Sequence, residues 1–399
     1  MIPQLDLTRQ YAALKPAIDA AIARVVSSQH FILGEEVASF EREVALYLGA
    51  KHAIGVASGS DALLLALMAL GVGAGDRVIT APFSFFATAG AIARLGAIPV
   101  FADIDDTTLN LDPAAVRHLL KQGPAKAIIP VHLFGAAADI ESFVSMGADF
   151  GVPIVEDTAQ AIGASHRGRA LGTWGQLGCF SFFPSKTLGA FGDAGLVTTN
   201  DDSLAARVRM LRVHGSSQRY LHDLVGVNSR LDALQAAVLR VKLPHVDAWV
   251  AARRRIAIRY ADAFRDLPIG LPPASNPAPR VDFNAKAPRR NDTKTSPPGV
   301  SASLRQIPSH AFHQFTIRVR PPKSRDALAA HLSAAGIGST VYYPCPLHRQ
   351  KCFDALAYAA GSLPIAERAA AEVLSLPIFP ELTDDELSEI IARVRTFFA

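Results

Sequence analysis

Gly178-Cys179-Phe180-Ser181-Phe182-Phe183-Pro184-Ser185-Lys186 is a short apolar strand that breaks at a proline into a turn carrying one ammonium group. Upstream, Val155-Glu156-Asp157-Thr158-Ala159-Gln160 is a second strand, and it ends in carboxylates. Similar short runs, rich in apolar and β-branched residues, occupy Arg77 to Thr80, Ile98 to Ala102, Ala127 to Val131, Pro153 to Val155 and Leu196 to Thr199, with longer helical patterns between them. Strands that alternate with helices and read as apolar runs predict an α/β domain built on a mostly parallel sheet, buried on both faces. Ligands of such sheets gather at the carboxyl ends of the strands. Those ends carry Asp103, His132, Glu156-Asp157 and Ser181.

From Leu231 to about Phe264 the pattern is helical, with a break expected at Pro244, which removes a backbone donor and clashes with the preceding turn. The predicted division is a large domain over 1–245, including the N-terminal segment, and a small C-terminal domain over 246–399. Residues 267–309 are rich in proline, serine, alanine and basic side chains, and read as a flexible insertion or exposed loop. Beyond it, His313 to Val319 reads as a strand, and Ser324 to Ala335 and Thr383 to Phe398 as helices, which makes the small domain α+β. Gly71-Val72-Gly73-Ala74-Gly75-Asp76 resembles a dinucleotide loop only in composition; it follows a helix and precedes a strand, so it is read as a helix end and turn.

The net charge of +4 over 399 residues is small, and Arg253-Arg254-Arg255 and Arg289-Arg290 are the only tight basic runs, so no nucleic-acid partner is expected. Cys179, Cys345 and Cys352 form neither a metal-ligand spacing nor a complete disulfide set, and no metal is expected. The N-terminus lacks a signal-peptide pattern and no uncharged apolar run is long enough to span a bilayer, so the expected location is cytoplasmic, with no membrane partner.

A lysine able to form a Schiff base, with an acid to face a pyridinium nitrogen, is what a protein must supply to pyridoxal phosphate (PLP). Lys186 and Asp157 are the candidates. Ala57-Ser58-Gly59-Ser60-Asp61-Ala62-Leu63 is a small polar turn opening an apolar helix; its free N–H groups and dipole suit a phosphate, although an ordinary Ser or Asp N-cap is the better reading of this segment taken alone. Gln160 lies just past the strand end and faces the same cleft, and Ser181 can donate to the same phosphate. Phe85 offers a flat face to the ring, or is a core aromatic.

In order along the chain, Ile2-Pro3, Phe31-Ile32-Leu33-Gly34, Gly59-Ser60-Asp61-Ala62-Leu63, Glu156-Asp157-Thr158-Ala159-Gln160-Ala161, Ser181-Phe182-Phe183-Pro184-Ser185-Lys186, Gly226-Val227-Asn228-Ser229-Arg230-Leu231-Asp232, Gln235-Ala236-Ala237 and Tyr343-Pro344-Cys345-Pro346-Leu347-His348 resemble the DegT-type sugar aminotransferases, a branch of fold-type I PLP enzymes. The resemblance implies that Lys186 is the Schiff-base lysine, Asp157 the pyridinium partner and Gln160 a neighbour of the ring's phenolic oxygen. It also implies that Gly59, Ser60, the Asp61 amide and Ser181 hold the phosphate, that Phe85 stacks on the ring, and that Asn228 crosses a homodimer interface to the partner's cofactor. One departure is Ala194, where the family usually has glycine; its methyl is costly if that position needs φ above zero. The other is the length of the 267–309 insertion.

The activity implied is ping-pong transamination. L-Glutamate gives its amino group to the cofactor, leaving pyridoxamine phosphate and 2-oxoglutarate, and the ketone of a nucleotide-diphosphate sugar then takes it, with Lys186 moving the proton. Carbon 3 is favoured over carbon 4 on the Asn228-to-Asp232 run. Arg230, His310, Tyr342, Tyr343 and His348 are candidates to bind the sugar, with packing or capping as the alternative for each. Two other functions stay open: a PLP-dependent sugar dehydratase, whose relatives replace the lysine by histidine, and a non-catalytic regulator that binds cofactor or sugar.

Overall fold

The computed structural model describes residues 1–273 and 310–399. Most of the 267–309 insertion expected from composition lies outside them. Within its start, Ile269–Gly270 is a strand, paired with Val319 and Arg318.

Among the described residues seven strands form the main sheet of the large unit: β1 (His52–Val56), β2 (Arg77–Thr80), β3 (Ile98–Phe101), β4 (Ala127–Ile129), β5 (Val155–Asp157), β6 (Leu177–Ser181) and β7 (Gly195–Thr199). β2 pairs parallel with both β3 and β4, and β5 pairs parallel with β6. Parallel bridges Ile128–Ile154 and Val131–Asp157 join β4 to β5, while β7 is antiparallel to both β6 and β1. The order is therefore β3-β2-β4-β5-β6-β7-β1, mostly parallel as the apolar runs required. β1 was not read from the sequence, because Gly55 breaks its run. That glycine is needed where Leu231 crosses the strand: a Cβ there would lie 2.8 Å from Leu231 Cδ2.

The Gly59–Ala69 helix lies against this sheet and is buried through Ala62 to Leu67, which explains a composition apolar on all sides. The helical stretch after Leu231 breaks where Pro244 predicts, into Ala233–Lys242, a turn at Leu243–His245, and Val246–Ala263. The last helix spans two cores. Val246 and Val250 pack with the large unit, whereas Ile256, Ala257, Tyr260 and Phe264 belong to a separate cluster around Phe315, Ile317, Leu374 and Ile390.

That second cluster is the smaller α+β unit. Phe315–Val319 pairs antiparallel with Val373–Leu376, and the helices Arg325–Ala334 and Asp384–Phe398 cover them. The latter begins with a capping box, Thr383 with Glu386. Two segments depart from a division at residue 245. Ile2 bridges to Ile337, so the N-terminus packs on the small unit, and the Pro364–Glu372 helix packs its Ala366, Ala369 and Ala370 on the core of the large one. Among the described residues no helix is long and apolar enough to cross a membrane.

Candidate active site

Pro184 sets the turn after β6, and the Lys186 amide closes it on Phe183 O at 2.8 Å. The following loop is held from the Ala233–Lys242 helix. Lys242 Nζ donates to Gly189 O at 2.7 Å, and the Gln235 amide bonds both the N–H and the carbonyl of Phe191. Lys186 is half-buried, and its Nζ makes no hydrogen bond or ion pair among the described residues. Desolvation lowers its ammonium to about 8, against the charge of Asp157, which favours protonation.

Asp157 ends β5 opposite Cys179 of β6, two residues before Ser181. It is buried, with Oδ2 accepting from Thr88 Oγ1 at 2.7 Å and Oδ1 from the Ala159 amide at 3.2 Å. Burial raises its pKa; those two bonds and the Lys186 charge work the other way. Glu156 faces the other side of the strand, where it accepts from the amides of Gly172, Trp174 and Gly175 and meets His132 Nε2 at 3.0 Å. The Ala138 amide donates to His132 Nδ1, so the ring hydrogen sits on Nε2 and is given to Glu156. Asp103 caps the Pro364–Glu372 helix through the amides of Ile365 and Ala366. Of the polar groups at the strand ends, then, His132, Glu156 and Asp103 hold structure together.

Ser58 caps the Gly59–Ala69 helix, its Oγ accepting from the Asp61 amide at 3.1 Å. The amides of Gly59 and Ser60, first in the helix, have no intrahelical acceptor. The helix start sits tightly against the end of β6: a Cβ on Gly59 would lie 2.5 Å from Ser181 Cβ, and one on Gly195 2.3 Å from Ser58 O. Two amides, the helix dipole and the Ser181 hydroxyl thus share one corner. Ala194 does not have positive φ and is buried in the core, so its methyl carries no backbone penalty.

Phe85 remains 57% exposed, its ring 6.3 Å from that of Tyr343. Gln160 accepts from the Phe134 amide at 2.6 Å through Oε1 and donates through Nε2 to Tyr343 Oη at 3.1 Å. Tyr343 therefore stands beside two of the candidate cofactor-binding residues, Gln160 and Phe85. Tyr342 is half-buried against it, ring to ring at 5.7 Å. The two histidines proposed for sugar binding are packed into the protein instead. His310 stacks on Phe312 at 3.8 Å and its Nδ1 accepts the Phe312 amide, while His348 is buried with Nε2 on Glu367 at 3.0 Å. Burial, then the nearby Arg254 charge, push His310 down to about 3, so it is neutral. Arg230 is half-buried and Asn228 exposed, and neither side chain has a partner among the described residues.

Two residues at the site carried no sequence signal. Thr88, one turn after Ser84, supplies the hydroxyl on Asp157. His313 is buried with an unpartnered Nδ1, and it is pushed well below its usual pKa by burial and by the charges of Lys186 and Arg253.

A half-buried amine without a partner, a buried carboxylate within its electrostatic reach, a helix start packed on a serine and an open aromatic face fit the aldehyde, ring nitrogen, phosphate and ring of PLP. Comparison with known proteins points the same way. The family model described as the DegT/DnrJ/EryC1/StrS aminotransferase family matches residues 13–395. A "Pleiotropic regulatory protein" of Geobacillus stearothermophilus is 46% identical, covering 100% of this chain and 98% of its own. A UDP-N-acetyl-3-dehydro-alpha-D-glucosamine 3-aminotransferase of Acidithiobacillus ferrooxidans is 42% identical, over 99% of this chain and 97% of its own. Among solved structures, S. venezuelae DesV in complex with a ketimine intermediate superposes with a TM-score of 0.87 at 41% identity, covering 99% of this chain and 98% of that one.

Proposed function

The chain belongs to the DegT/DnrJ/EryC1/StrS aminotransferase family, and from that premise we propose that it moves the amino group of L-glutamate to carbon 3 of a nucleotide-diphosphate keto-sugar. It is a PLP-dependent sugar aminotransferase of amino-sugar biosynthesis, with pyridoxamine phosphate as the aminated form of its cofactor. The observation that carries the reading is the half-buried Lys186 amine, without a partner among the described residues and within electrostatic reach of the buried Asp157.

Bound PLP supplies an aldehyde for an amine and a pyridinium ring that draws off electrons as a C–H bond breaks. Lys186 would be the residue to hold the aldehyde, and its neutral amine would take and return the proton of that C–H bond. Asp157 keeps the ring nitrogen protonated, with Thr88 fixing the carboxylate. The Gly59 and Ser60 amides and Ser181 bind phosphate, joined by the Asp61 amide if Ser58 releases it. Phe85 covers one ring face. Asn228, exposed and with no side-chain partner among the described residues, serves the site of a second copy in a homodimer, and Arg230 beside it meets the sugar diphosphate.

The regulatory name of the Geobacillus relative favours a second reading, a protein that binds cofactor or sugar to control a partner. A pure binder has no use for the free amine. The purified protein should be yellow, its visible band should give way to the pyridoxamine absorbance on adding glutamate, and a panel of 3-keto and 4-keto nucleotide sugars should restore it with amine product. A band unmoved by glutamate would point to the regulator; product only from 4-keto sugars would overturn the carbon-3 assignment. Mixing Lys186→Ala and Asn228→Ala protomers should restore some activity if sites are shared, and no rescue after subunit exchange would rule sharing out.

A further inference from the structure

We propose that Tyr343 is a positioning residue for the cofactor: its phenolic oxygen takes one hydrogen of the Gln160 amide and so presents the other to the oxygen on the PLP ring. The inference rests on the reading of Gln160 as the neighbour of that oxygen, and it gives Tyr343 a role other than binding sugar.

The geometry leaves the amide one orientation. Phe134 is buried, and its backbone N–H needs an acceptor, which Gln160 Oε1 provides at 2.6 Å. Flipping the amide would set one N–H against another. Phe134 holds φ +58 and ψ +7, a left-handed arrangement that is unfavourable for a non-glycine residue. It is kept there by Ala311 N on Gly135 O at 2.9 Å and by Gly135 N on His132 O at 3.2 Å. The strained turn therefore aims its N–H at the glutamine and decides that Nε2 faces Tyr343.

Nε2 carries two hydrogens, and the 3.1 Å bond to Tyr343 Oη uses one of them. Burial pushes the Tyr343 phenol well above its usual range, so it stays un-ionised. Its ring is fixed edge-on to Phe83 at 6.1 Å and tilted to Phe85 at 6.3 Å. The same side chain thus touches the stacking residue and orients the hydrogen-bonding one. A hydrogen given to the ring oxygen favours its anion, and it competes with the proton that this anion holds on the nitrogen joined to Lys186. The visible band of the PLP-loaded protein should therefore titrate at a lower pH than it would without that hydrogen.

The test is the pH titration of that band in the loaded protein. Tyr343→Phe keeps the ring and should move the midpoint up by about half a unit to one unit. Gln160→Leu should move it the same way by at least as much, and the double variant should add nothing to Gln160→Leu, since both act through one group. A Tyr343→Phe midpoint equal to wild type, with only the KM for sugar raised, would assign Tyr343 to the substrate and overturn the proposal. So would additive shifts in the double variant. A wild-type protein with no titrating visible band would instead overturn the underlying assignment of Lys186, and this inference with it.

Discussion

At the residue scale the proposed chemistry turns on the protonation of Lys186. Only its neutral amine attacks an aldehyde. With the ammonium lowered to about 8, the rate of PLP capture by cofactor-free protein should rise about tenfold per pH unit below that value and level off above it. Stopped-flow absorbance would show this, and a rate still climbing well past that point would mean that the amine is not desolvated as described. Lys186→Ala and Lys186→Arg should retain the fold by circular dichroism and lose turnover by at least about a thousandfold. Thr88→Val removes one of the two bonds that favour the charged Asp157, and should weaken activity by about 1–2 kcal/mol, a few-fold to some thirtyfold. Lys186 and Asp157 stood out as candidates because of the segments around them and their resemblance to the family pattern, since either residue alone at a strand end is weak evidence. His310 and His348 look equally reactive in the sequence, but stacking on Phe312 and pairing with Glu367 arise from residues brought together only by folding.

At the element scale the site depends on how closely the Gly59–Ala69 helix approaches β6. Gly59→Ala places a Cβ 2.5 Å from Ser181 Cβ, and the strand end must shift. The substitution should cost about 1–3 kcal/mol of stability by denaturant unfolding and lower the affinity for PLP with it. Unchanged binding and stability would show that the corner yields more easily than its packing indicates. The strands, the Pro244 break and the C-terminal helix were legible because each is set by local pattern: apolar runs, a missing N–H, a capping box. β1 was not, because its interior glycine answers to Leu231, a residue far away in sequence. The tolerance for Ala194 was equally invisible, since a single sequence does not print its own φ.

At the scale of the whole molecule, Arg318 ties the small unit to the large one. It is buried, with Nε on Glu372 at 2.8 Å and Nη1 on the Asp106 carboxylate at 2.7 Å. Arg318→Ala leaves the buried Glu372 only the more distant, exposed Arg320 at 3.7 Å and should cost about 2–4 kcal/mol in chemical unfolding, whereas the exposed Arg393→Ala should change stability by less than about 1 kcal/mol. Bonds from Arg368 and Arg318 hold the Asp106 carboxyl down to about 2 from an ordinary 3.8. A lowered carboxylate stabilises the fold above its unfolded pKa, and that contribution fades as pH falls through the folded one. The gap between wild type and Arg318→Ala should therefore narrow between about pH 3.8 and pH 2. A gap independent of pH there would show that Glu372 alone carries the strap.

The amino-acid sequence by itself determined the α/β architecture and most of its strands, and it singled out Lys186 and Asp157 as candidates, since patterning and backbone chemistry act between near neighbours. The tertiary structure decided which polar groups are used in holding the chain together and which are left for chemistry. Asp103, His132 and Glu156 satisfy buried amides and each other, while Lys186 has no side-chain partner among the described residues, and Gln160 is turned by Phe134 and Tyr343. A buried donor or acceptor must be paired, and which partner it finds depends on contacts between residues distant along the chain.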